Sequence, residues 1–175
     1  MEKNFHEKVK RAQKGDKEAL LELIMEQKED YYHLAYAFMK NPEDALDVLE
    51  DMILKVYENI HRLKKAEAFY SWSNTILVNC CKGSLRKKKK VIPFKELPEE
   101  AYVESFSEQD DLIAFESHLS GLNPKYQEVL RLRFLLDMEY EKIAQILEIP
   151  LGTVKSRIHT GLKKLRERLG VAGYE

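Results

Sequence analysis

From Thr153 to Lys164 the sequence sets small hydroxyl side chains and cations at helical spacing. At 100° per residue, Thr153, Ser156, Thr160 and Lys163 share one arc, flanked by Arg157 and Lys164 on one side and His159 on the other. Short hydroxyl side chains can reach base edges in a major groove, and cations the phosphates beside them, when the first turns of a helix enter that groove. Lys155, Arg157, Lys163, Lys164, Arg166 and Arg168 could together neutralise several phosphates, each adding a salt-dependent increment of binding. The opposite arc, Val154, Ile158, Gly161, Leu162, Leu165 and Leu169, is the stripe such a helix would bury. A shorter apolar run ahead of it, Ile143, Ile146, Leu147 and Ile149, can pack across it through a turn of three or four residues around Pro150 and Gly152. The residues alone leave two readings open: a DNA-reading helix-turn-helix, or a basic amphipathic hairpin.

The elements needed to position that face follow the same helical rhythm along the chain. Asp16 after Gly15 can cap a helix carrying Ala19, Leu20, Leu23 and Ile24, and the period runs on through Tyr31, Leu34, Ala35 and Phe38. After Asn41-Pro42 the residues Ala45, Val48, Leu49, Met52, Val56 and Ile60 recur at three- and four-residue intervals, which leaves Glu43, Asp47, Glu50 and Asp51 largely on the outer face. A third stripe is expected at Phe69, Trp72, Ile76 and Cys80, with Trp72 read as core rather than as a base contact. From Val91 to about Asp111, two prolines and many acids break the period, the pattern of a mobile linker. Asn123-Pro124 then starts a helix with Tyr126, Val129, Leu130, Leu132 and Phe134. Nothing in the periods or breaks points to a sheet, and 175 residues suffice for two small helical domains.

Composition narrows the function classes. The formal net charge of −1 conceals segregation: charges between Pro42 and Met52 are all acidic, those between Ala68 and Lys95 all basic, and Lys155 to Arg168 is basic apart from Glu167. Such a chain can offer one surface to a polyanion and another to a basic partner. Adjacent Cys80 and Cys81 suit neither a disulfide nor a zinc pair and read as packed thiols, while the five histidines lie scattered without metal-ligand spacing. No cofactor, metal, catalytic residue or small-molecule substrate is expected, for there are no paired carboxylates, nucleophile elbow or phosphate loop. The charged N-terminus and the lack of a long apolar run argue against a secretory signal or a membrane span, so a cytoplasmic location is expected.

YEKIAQILEIPLGTVKSRIHTGLKKLRERL resembles region 4 of the extracytoplasmic-function (ECF) RNA polymerase sigma factors of the sigma-70 family, and LNPKYQEVLRLRFLLDM the earlier helices of that domain. PEDALDVLEDMILKVYENI resembles their region 2 helix, and FYSWSNTILVNCCKGSLRKKKK the helix that follows. The resemblance implies an all-α fold of two small helical domains joined by an acidic flexible linker: residues 1–92, a linker at 93–111, and a helix-turn-helix domain at 112–175. It further implies that Thr153, Lys155, Ser156, Arg157, His159, Thr160, Lys163 and Lys164 read a −35 element. Leu63, Lys64, Lys65, Tyr70, Ser71, Asn79, Arg86 and Lys87 would serve a −10 element, the stretch from Leu63 to Ser71 forming a loop that captures a flipped base. Asp47, Glu50, Asp51 and Lys55 would meet core RNA polymerase, which the family contacts through the β′ clamp helices and the β flap. Promoter DNA and an anti-sigma factor, of a kind often membrane-bound, complete the implied partners. The sequence departs from the family's pattern at Leu46, Glu50, Leu63, Thr160, Gly161 and Leu162. A conventional helix-turn-helix repressor or activator is the alternative, and it would bind duplex DNA tightly without polymerase.

Overall fold

The structure is a computed structural model that describes residues 2–91 and 115–169, with side chains at 4–88 and 115–169. The expected linker at 93–111 lies outside the described residues, which contain helices and turns but no strand. Helices α1 (Glu2–Gln13), α2 (Lys17–Glu26), α3 (Lys28–Met39) and α4 (Pro42–Asn59) are followed by two single 3₁₀ turns, Ile60–Arg62 and Ala66–Ala68, and by α5 (Phe69–Val91). Residues 115–120 are helical, and α6 (Pro124–Phe134), α7 (Tyr140–Leu147) and α8 (Leu151–Leu169) complete the chain. No described helix is long and apolar enough to cross a membrane.

Three helix starts, those of α2, α4 and α6, arise from capping chemistry the sequence contains. The Asp16 carboxylate accepts from the Ala19 N–H at 3.0 Å after Gly15 turns the chain at φ +94°. The Asn41 and Asn123 side-chain carbonyls accept from Asp44 and Lys125 N–H groups, each ahead of a proline in the first turn. One break lacks any such mark: α2 and α3 separate at Gln27, where the apolar rhythm predicts continuity. Neither proline nor glycine stands there.

Helix α5 departs from its expected stripe. Phe69 and Cys80 are buried, but so are Ser73, Asn74, Leu77, Val78 and Cys81, whereas Trp72 and Ile76 are half-buried at the margin. The reason is two-sided packing: α5 meets α3 and α4 along one side and α7 along the other, so its covered arc is far wider than a one-sided helix needs. Both cysteines are free, and burial pushes the Cys81 thiol up to about 12.

The two halves share one continuous apolar cluster. Polar ties cross between them: Lys40 pairs with Glu116, Lys82 Nζ lies 3.1 Å from Glu128, and the Thr75 hydroxyl approaches the Gln145 carbonyl at 3.4 Å. Arg131 is only 6% exposed and donates to both oxygens of Glu116, at 2.9 and 3.0 Å, and to Gln127 at 2.9 Å. Burial opposes ionisation of Glu116, but donors from Arg131 and Lys40 outweigh it and hold the carboxyl below its usual pKa. A depressed carboxylate pKa contributes stability that is present above the ordinary glutamate range, about 4.3, and is lost as pH falls through the lower folded value. Glu116→Ala should therefore lower stability by about 3 kcal/mol at neutral pH, because it strands a buried guanidinium. Its deficit relative to the parent should shrink in acid, which denaturant titrations at pH 7 and pH 3 would measure.

Candidate nucleic-acid interface

The helix-turn-helix is assembled by a three-residue turn, Glu148 to Pro150. The Glu148 N–H bonds back toward the end of α7 and the Ile149 N–H reaches the Ala144 carbonyl at 3.1 Å. The left-handed residue is Glu148, at φ 54°, rather than the glycine two residues beyond Pro150. Gly152 belongs to the first turn of α8, with open space where a Cβ would stand.

On α8 the inner stripe holds as its spacing predicts, with Val154, Ile158, Gly161 and Leu165 buried, Leu162 half-buried and Leu169 exposed. Outward stand Lys155, Ser156, His159, Lys163 and Lys164, all exposed, with Thr153, Arg157 and Thr160 half-buried at the edges of the same face. The Ser156 hydroxyl donates to the Thr153 carbonyl at 3.0 Å, so it must rotate to meet a base. Among the described residues no carboxylate pairs with Lys155, Arg157, Lys163 or Lys164. Their charge is available to a polyanion.

A second feature lies in the N-terminal half. Lys55 and Asn59 of α4, Arg62 of the first 3₁₀ turn, and Trp72, Ile76 and Asn79 of α5 line an open cleft of about 320 Å³. Its polar wall is rich in donors and has no carboxylate: Lys55 donates to Cys80 Sγ at 3.4 Å, and the Asn59 amide is engaged by the Lys55 carbonyl at 2.9 Å. Trp72 and Ile76 give it an apolar side on which a planar ring can rest. Lys64, Lys65, Arg86 and Lys87 are exposed. Of three other predicted residues, Leu63 is buried, whereas Tyr70 and Ser71 are half-buried, Tyr70 donating to Glu26 at 2.8 Å and Ser71 to the Ala68 carbonyl at 3.0 Å. The structure thus brings Asn79 together with Lys55, which also stands one turn along α4 from Asp51.

Those three acids are exposed on α4, and Leu46, Leu54 and Tyr57 are exposed among them at 53%, 63% and 41%. An acidic face with this much bare apolar surface has the character of a docking site. Leu54 and Tyr57 fall off the inner stripe of α4, the one signal that could have marked them. Arg62 carries no such signal, because its place in the cleft depends on the turn that ends α4.

The family description "Sigma-70 region 2" matches residues 23–91, and "Sigma-70, region 4" matches residues 112–165. RNA polymerase sigma factor SigV of Bacillus subtilis (strain 168) is 32% identical over 157 residues, covering 87% of this chain and 92% of the relative. The chain belongs to the ECF sigma factors of the sigma-70 family. It is an alternative sigma factor that directs transcription initiation. ECF RNA polymerase sigma factor SigW of the same organism is 28% identical over 188 residues, covering 97% of this chain and 98% of its own. The fold is shared with CnrH, solved in complex with the cytosolic domain of CnrY, at a TM-score of 0.70 and 18% identity over 97% of this chain and 99% of that one. It is shared too with the sigma factor RpoE of Bartonella quintana, solved with the anti-sigma factor NepR, at 0.63 and 21% over 87% and 97%.

Within this sigma factor, Gly161 has a packing cause. A Cβ there would stand 3.0 Å from Leu130 Cδ1 and 3.3 Å from Tyr126 Cβ, so α6 approaches α8 closely at that point. At the turn, a left-handed glutamate is strained where glycine is not. Glu148→Gly should raise the thermal stability of the sigma factor by up to about 1 kcal/mol, whereas a β-branched residue there, Glu148→Val, should lower it; calorimetry of the purified chain checks both.

Proposed function

We propose that the C-terminal half reads the −35 promoter element with α8 while the N-terminal half opens and holds the −10 element at the α4–α5 cleft. The reading is supported by one juxtaposition: an unpaired cationic face on a groove-sized helix, and a ring-sized, donor-lined cleft elsewhere on the same chain. On α8, Thr153, Ser156, Thr160 and His159 meet base edges, and Lys155, Arg157, Lys163 and Lys164 meet phosphates and guanine edges. At the cleft, a base leaving the duplex stacks beside Trp72 and Ile76 while Asn79 engages its edge, and Lys64, Lys65, Arg86 and Lys87 neutralise the single strand. Buried Leu63 shapes the loop, and the half-buried Tyr70 and Ser71 stand at its surface toward the −10 strand.

The acidic and apolar face of α4, Asp47, Glu50 and Asp51 with Lys55 and the exposed Leu54, docks on the β′ clamp helices of core polymerase. The C-terminal domain of residues 112–175 contacts the β flap, and the linker of 93–111 joins it to the domain of residues 1–92. The factor catalyses no reaction itself, acts in the cytoplasm where polymerase works, and is restrained by an anti-sigma factor. The last point is supported by the complex in which RpoE, which shares this fold, is held by the anti-sigma factor NepR.

Purified chain and core polymerase together should start transcripts at one defined position on a responsive promoter, and neither should do so alone. Asp47→Lys with Asp51→Lys should abolish polymerase binding while leaving the fold intact. Arg157→Ala should change which −35 sequences are used, and Lys163→Ala should lower the salt slope of promoter binding by about one. Tight sequence-specific binding by the free chain, with no effect of polymerase, would instead make it a conventional repressor or activator.

A further inference from the structure

Helix α1 lies ahead of residues 23–91, the stretch matched by region 2, yet it reaches the wall of the cleft. The Gln13 side-chain amide donates to two carbonyls, Leu63 at 2.8 Å and Ile60 at 3.3 Å. These carbonyls bracket the 3₁₀ turn Ile60–Arg62, the element that carries Arg62 into the cleft. The Ile60 carbonyl also closes the turn by accepting from the Leu63 N–H at 3.1 Å. A single amide nitrogen with two N–H groups can serve both carbonyls, which a hydroxyl or a carboxylate cannot. Further along, the Phe5 ring sits 5.3 Å from the Tyr70 ring, and His6 Nε2 lies 3.9 Å from the Glu67 carboxylate. Helix α1 therefore grips both ends of the segment from Ile60 to Tyr70.

We infer that Gln13 is a positioning residue for base recognition: by pinning the carbonyls of the Ile60–Leu63 turn it fixes the direction in which Arg62 enters the cleft. The inference rests on the reading of the cleft as the base-holding site. Its physical content is pre-organisation. A 3₁₀ turn has weak internal hydrogen bonding, and a site that must discriminate one base from another needs its donors held to within a fraction of an ångström. Arg62 is exposed and sits on such a turn, so the discrimination it gives depends on what anchors that turn. Two hydrogen bonds from a neighbouring helix supply the anchor.

The test uses full-length chain with core polymerase and sets of duplex promoters carrying each of the four bases at every −10 position. Gln13→Glu keeps the shape but removes the donors, and Gln13→Met keeps the bulk without polar atoms. Both should bind core polymerase as the parent does, yet discriminate among the four bases about tenfold less at the position the cleft reads. Arg62→Ala and Asn79→Ala should lose discrimination at that same position. If the Gln13 variants keep parental discrimination while Arg62→Ala and Asn79→Ala lose it, the inference is overturned and the cleft reading stands. Unchanged discrimination in Arg62→Ala and Asn79→Ala sinks the cleft reading itself, and the inference with it. An equal fall in activity at all four bases, or failure of both Gln13 variants to fold, assigns Gln13 a structural role alone and likewise overturns the proposal.

Discussion

Helix α5 must satisfy α3 and α4 along one side and α7 along the other, and the placement of every other functional element follows from how it does so. A helix buried on one side can keep its polar residues in water; one covered on two sides cannot. Ser73 is fully buried, and its cost is met by hydrogen bonding: its oxygen lies 2.7 Å from the Tyr31 hydroxyl and it donates to the Tyr70 carbonyl at 3.1 Å. Burial raises the Tyr31 phenol to about 12, so the partner remains neutral across the physiological range. With Ser73 directed at α3, Trp72 and Ile76 lie about 100° and about 60° round the helix from it, both to the same side, at the margin beside α4. The cleft forms at that margin, so its walls are set by the packing on the far side of the same helix.

The parts of the fold that were legible in the sequence are those where one helix face meets one neighbour. Val48, Met52 and Val56 on α4, and Val154, Ile158 and Leu165 on α8, repeat at helical spacing and are buried as that spacing requires. The caps at Asp16, Asn41 and Asn123 were legible because each relies on a local side-chain to backbone bond. The break at Gln27 was not, since neither proline, glycine nor a side-chain cap marks it. The left-handed Glu148 was hidden behind a nearby glycine that would have taken the conformation more easily. The cleft was the least legible feature. Asn79 could be found through its family position, but Lys55, Arg62 and Trp72 come from three elements whose mutual distance no local pattern encodes.

Charge shows the same division between what is used internally and what is left for partners. Lys8 is matched by Glu22 and Glu26, Arg11 by Asp16, Lys88 by Asp44, Lys82 by Glu128, Lys40 and Arg131 by Glu116, and Arg133 by Asp137. Most of these pairs are partly solvated and add little stability, so the union of the two halves rests on the shared apolar cluster, while Lys40–Glu116 and Lys82–Glu128 favour one alignment of it. Among the described residues the ion pairs leave out both the acids at Asp47, Glu50 and Asp51 and the cations at Lys155, Arg157, Lys163 and Lys164.

Those two unpaired sets have opposite sign and lie in different halves, which explains why the net charge is so poor a guide to what this chain binds. At physiological ionic strength the field of an exposed charge decays over about 8 Å, so a phosphate approaching α8 senses the cations of that helix and little of the acids on α4. A polycationic surface approaching α4 meets the converse. The formal charge of −1 is therefore the sum of two local fields that seldom act on the same partner. Reversing the sign of one set would change the total by several units, yet leave the potential at the other face almost as it was. Segregation on this scale lets a small chain hold a polyanion and a basic protein surface at the same time, each at a face where the opposing charge is screened out.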